Sequence, residues 1–83
     1  MIKDKINALL LLSGKKQIDA AVAFDMSRES FNNKIRAADT RFNTSDLIKI
    51  AEMTDTTLSF VDKTGRIVVA LTPEDIKKAP ASK

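Results

Sequence analysis

The chain has 83 residues, room for one small domain, and a chain so short buries a modest core and is often stabilised by a partner chain. It contains neither cysteine nor histidine, which excludes a disulfide framework, thiolate metal sites, zinc chemistry and histidine-based acid–base catalysis. Fourteen basic against 11 acidic residues leave a net charge of +3, which permits nucleic-acid binding without demanding it.

Ile2, Ile6, Leu9 and Leu10 fall on one helical face and predict a helix over residues 2–13, with Gly14 as its terminator. Leu11 points nearly opposite that stripe and Leu12 lies at its border, so the two form an extra apolar surface, either packed beneath a later element or open to a partner. The longest apolar run, residues 8–12, is far too short to span a membrane, and no secretory signal pattern precedes it. A cytoplasmic protein is the expectation.

Residues 17–36 organise the rest. Ala20, Ala21 and Phe24 recur at helical spacing, as do Phe31 and Ile35. Between these two short helices, Asp25 tolerates the left-handed conformation of a tight turn, Met26 can plug the corner, and Ser27 is a good N-cap. Small residues at 20 and 21 let the second helix approach closely. This is the sequence logic of a helix-turn-helix, whose second helix, here over residues 28–37, enters the DNA major groove.

A loop is predicted over residues 38–42. Asn43 with Asp46 forms a capping box opening a helix over residues 44–53, with Leu47, Ile48, Ile50, Ala51 and Met53 on its buried side. Branched and aromatic residues then predict strands over 58–62 and 66–71, joined at Asp62 to Gly65 by a type I turn with a left-handed glycine. One hairpin face, Leu58, Phe60, Ile67, Val69 and Leu71, is expected to cover the helical core. The other, Val61, Val68 and Ala70, lacks a cover within the chain. The second strand has no proline or charge inside it to discourage edge pairing. Thr72, Pro73, Glu74 and Asp75 start a short helix reaching Lys78, which could alternatively fold Ile76 back over the uncovered face. Residues 79–83 read as a tail.

Gln17 opening the second helix, Ala21 inside it, Ser27 opening the third and Phe31 at the third helix's core position form an ordered set. With it, the chain resembles the lambda-repressor-like (XRE, Cro/CI-type) family over about residues 2–61, residues 42–54 being similar to that family's fourth helix. Asp25 stands where the family usually has glycine. Lys15 and Lys16 replace a usual apolar residue and a usual Thr or Ser cap, which weakens the start of helix 2. Leu11 and Leu12 stand where charges are common. The resemblance implies a mainly α fold, a four-helix helix-turn-helix domain over residues 1–57; the residue patterning adds a β-hairpin and short helix over 58–78, expected to be the dimerisation part of the same unit.

Carried over by position, Arg28, Glu29 and Asn33 read bases, with Asn32 beside them. Arginine can bond guanine through two atoms and asparagine adenine, while glutamate can accept from cytosine or repel phosphate. The bland alternative is a solvated helix face. Two adjacent asparagines favour contact, because asparagine is a mediocre helix former. Gln17 is the family's phosphate-contacting residue. Ser27 and Ser30 at the helix start, and Lys15, Lys16, Lys34, Arg36, Arg41 and Asn43 around it, are further phosphate candidates, each basic one being alternatively a solvated charge.

The expected function is a transcriptional regulator, a repressor that binds a pseudo-palindromic operator in double-stranded DNA as a homodimer through Val61, Val68, Ala70, Leu11 and Leu12. Two rivals share the fold: the DNA-binding antitoxin of a toxin–antitoxin pair, whose tail or apolar patch seizes a protein partner, and a protein-interaction module without DNA affinity. No grouping of nucleophile, base and orienting residue suggests an enzyme, and no cofactor or metal is expected.

Overall fold

A computed structural model describes residues 1–77; Lys78 and the tail predicted over 79–83 lie outside the described residues. In chain order the elements are α1 (Ile2–Leu12), α2 (Gln17–Ala23), α3 (Arg28–Arg36), α4 (Ala38–Arg41), α5 (Thr44–Met53), β1 (Leu58–Val61), β2 (Ile67–Leu71) and α6 (Pro73–Lys77). The described residues are mainly helical, and the two strands among them form one antiparallel hairpin.

Three helices stop by the same device. The backbone turns left-handed at Gly14, Asp25 and Asp55, with φ of 75°, 56° and 59°. In each case the next amide reaches back to a carbonyl of the last turn: Lys15 to Leu10 at 2.8 Å, Met26 to Ala21 at 2.9 Å and Thr56 to Ala51 at 2.8 Å. This closes orphan carbonyls that would otherwise need water, and aspartate tolerates the conformation better than most residues. Asp55 carried no such reading in the sequence.

Helix starts are closed by side chains. Ser27 Oγ accepts from the Ser30 amide at 3.0 Å. Asn43 and Asp46 exchange bonds at 2.9 and 3.0 Å, completing the expected capping box. At α2, Asp19 accepts from the Lys16 amide at 2.8 Å, but lysine has no acceptor to return, so this start is closed from one side only.

Phe31 is fully buried, as expected of the large apolar residue in the middle of α3. Its ring lies 5.3 Å from that of Phe24 and 6.4 Å from that of Phe42. Ala20 and Ala21, also fully buried, give α3 its close approach to α2; Ile6, Leu10, Ile35, Ala38 and Ile50 complete the core, with Leu47 and Met53 half-buried against it.

Two expectations are corrected. The segment over 38–42 is not a loop: Ala38–Arg41 makes one helical turn, because the Ala37 carbonyl accepts from the Thr40 and Arg41 amides while Ala38 is buried. Asp39 of that turn also accepts from the Ile2 amide at 3.0 Å, tying it to the start of α1. The hairpin does not lie over the helical core. Phe60 and Ile67 are 65% and 63% exposed, Val69 is exposed too, and only Leu58 and Leu71, paired at the root, are half-buried. Val61, Val68 and Ala70 are likewise exposed, so both faces are bare. The register shifts after Phe60, pairing Val61 with Ile67 and leaving Val68 as the extra residue of a bulge. α6 packs on α5 and half-buries Ile76, without covering the hairpin's faces. Leu11 and Leu12 are 79% and 84% exposed, so they do not pack beneath the hairpin.

Candidate nucleic-acid interface

The outer face of α3 is held from behind. Phe31 and Ile35 bury on its inner side, Ser27 anchors its first turn, and Met26 half-buries at the corner with α2. Side chains at 28, 29, 32, 33 and 36 are thereby turned away from the core. Arg28, Glu29, Asn33 and Arg36 are exposed and Asn32 is half-exposed. The structure brings Gln17, Arg28, Glu29 and Asn32 together around one shallow depression. Lys16 and Ile18 join Gln17 and Arg28 around a second, so the N-terminal ends of α2 and α3 present one continuous surface. On the other flank of α3, Ser30, Asn33, Lys34 and Arg41 line a third depression with Met26. Lys15 is exposed just before this surface. Glu29 is the one acid of α3, against Arg28, Lys34 and Arg36.

Several of these side chains are engaged within the chain. Gln17 Nε2 donates to Asn7 Oδ1 at 3.2 Å, which steadies its amide while leaving its second N–H and its oxygen free. Arg36 Nη2 donates to Asn33 Oδ1 at 2.7 Å. Asn43 spends its oxygen on the α5 cap. Ser27 Oγ accepts a backbone bond, yet its hydroxyl proton remains available.

Lys34 is set apart from the other cations. Its ammonium lies 3.2 Å from Asp46, 3.4 Å from the Arg41 carbonyl and 5.4 Å from the centre of the Phe42 ring. Both partners of the ion pair are largely buried, with side chains 19% and 13% exposed. Lys34 therefore fastens α3 to the start of α5, and its charge is neutralised where it sits. Asp46 serves the pair and the cap at once.

Sequence reasoning missed these side-chain bonds. The three-residue spacing of Asn33 and Arg36 on one helix was a usable signal, since such neighbours share a face. The Asn7–Gln17 and Lys34–Asp46 pairs join separate elements, and no periodicity announces them. Among the described residues no group of acidic side chains is placed to hold a metal ion, and no helix is long and apolar enough to cross a membrane. No protein-family model, no curated protein and no solved structure matches the chain.

Proposed function

We propose that the protein is a sequence-specific regulator of the lambda-repressor-like helix-turn-helix type, a cytoplasmic repressor that inserts α3 into the major groove of double-stranded DNA. One observation carries this reading: α3 turns an exposed row of arginine and asparagine side chains outward from a fully buried inner side, next to Gln17 and Lys16 of α2. A groove-reading helix needs that combination, because base edges are discriminated only by side chains held in register. Two copies set their α3 helices about 34 Å apart on a pseudo-palindrome and exclude polymerase. The bare hairpin is the pairing element, since Val61, Val68 and Ala70 on one face and Phe60 and Val69 on the other are left in water.

A second reading, the DNA-binding antitoxin, is favoured by the same bare hairpin together with exposed Leu11 and Leu12, which offer a protein partner two apolar surfaces.

Selection from random duplex DNA, followed by titration of the enriched site at several salt concentrations, tests the reading. A single enriched motif, with binding that weakens steeply as salt rises, is the expected result. Arg28→Ala should then relax one base position at a cost of about 1–3 kcal/mol, while Gln17→Ala weakens all sequences alike. No enrichment and no salt-dependent binding would leave only an interaction module.

A further inference from the structure

The bond between Arg36 and Asn33 constrains what α3 can read. Asparagine has one acceptor oxygen and two amide protons, and adenine recognition through two atoms uses the oxygen and one proton together. Here the oxygen already accepts from a guanidinium at 2.7 Å. A bond to a charged donor is shorter and stronger than a neutral one, so a base amino group competes poorly for that oxygen. What faces outward from the pair is chiefly donors, the amide protons of Asn33 and the remaining N–H groups of Arg36, with the second lone pair of the Asn33 oxygen left beside the guanidinium. The bond also draws the guanidinium back one turn, from the end of α3 to its middle, where Asn33 stands exposed beside the Ser30 and Arg41 depression.

We propose that Asn33 and Arg36 form one guanine-reading unit, in which Arg36 touches the base and Asn33 is the residue that positions it. Guanine shows two acceptors in the major groove, N7 and O6, and matches a unit whose outward groups are chiefly donors. Adenine shows an acceptor and an amino donor, and the amino group meets the unit's own N–H groups. Arg36 thus reads a base and does not serve as a phosphate anchor, and the adenine preference that an isolated asparagine would bring is absent. The inference rests on the DNA-reading role of α3.

Parallel selections with wild type, Arg36→Gln, Asn33→Ala and Asn33→Asp test it, with helicity checked by circular dichroism because both residues are exposed. Wild type should enrich guanine at one position of each half-site. Arg36→Gln and Asn33→Ala should relax that same position, discrimination falling between roughly 5- and 150-fold for the arginine variant. Asn33→Asp keeps an acceptor for the guanidinium and should restore the guanine preference, although its added charge weakens binding to every sequence. Asn33→Ala relaxing an adenine position, or Arg36→Gln weakening all sequences alike with a shallower salt dependence, would overturn the proposal while leaving DNA binding intact. Failure of wild type to enrich any sequence would overturn the proposal and the DNA reading together.

Discussion

The helical body and the hairpin use the same kinds of apolar residue to opposite ends. In the body, Phe31, Ile35 and Ile48 are fully enclosed, and Phe24 and Phe42 meet the Phe31 ring edge-to-face. In the hairpin, Phe60 and Val68, 65% and 62% exposed, touch water on both faces of a two-stranded sheet. An isolated two-stranded hairpin is marginal in water, so this one depends on its rooted end and its turn. Leu58 and Leu71 hold the root, half-buried next to α5. At the tip, Asp62 Oδ1 accepts from the Thr64 and Arg66 amides at 2.9 and 3.0 Å and from the Thr64 hydroxyl at 2.7 Å. Apolar residues alone therefore do not make a core; helices α1 to α5 converging on one centre do, and two strands do not.

The sharpest way to break the contrast is Phe31→Ala. Removing the ring should cost about 3–5 kcal/mol, enough to unfold much of so small a domain, and a thermal melt close to wild type would contradict the account of the core. Lys34→Met comes next. It leaves Asp46 largely buried without its cation, and chemical denaturation should show a loss of about 1–2 kcal/mol. Because that charge is already spent inside the chain, the salt dependence of the proposed DNA binding should not change, whereas Arg41→Ala should make it shallower.

Val68→Lys should do the reverse of Phe31→Ala. At an exposed position it should shift the stability of the folded monomer by no more than about 0.5 kcal/mol. If the proposed dimer forms, sedimentation at micromolar concentration should show it in wild type and show it split into monomers, with their helices intact, in the variant. A wild-type monomer indifferent to the substitution would sink the pairing role of the hairpin.

The smallest effect is at Asp62. The Thr64 hydroxyl, then the Arg66 and Thr64 amides, hold its carboxyl below its ordinary value. A folded value lower than the unfolded one means that the contribution to the turn is present above the unfolded value and lost as pH falls through the folded one. The Thr64 and Arg66 amide shifts should therefore titrate at lower pH in the protein than in a short peptide spanning the turn. Identical midpoints in the two would show that the turn is not held this way.

Much of the fold was legible because its signals are local. The Ser27 and Asn43 caps, the Gly14 and Asp25 turns and the buried face of α3 depend on residues within one helical turn of each other, where spacing and side-chain chemistry speak directly. The exposed row at 28, 29, 33 and 36 followed from the same period. Tertiary structure alone decided the rest. Alternation along β1 and β2 assigns Ile67 to the Phe60 face, whereas the bulge pairs it with Val61 and so turns it to the other; nor does alternation say whether anything covers a face, and here neither is covered. The one-turn α4 exists because Ala38 finds the core and Asp39 finds the start of α1, a partner 37 residues away. Lys34 reads as a free cation until folding brings Asp46 to it. Chain-local patterns determine which conformations are stable; which charges stay free and which apolar faces stay wet depends on where distant segments come to rest.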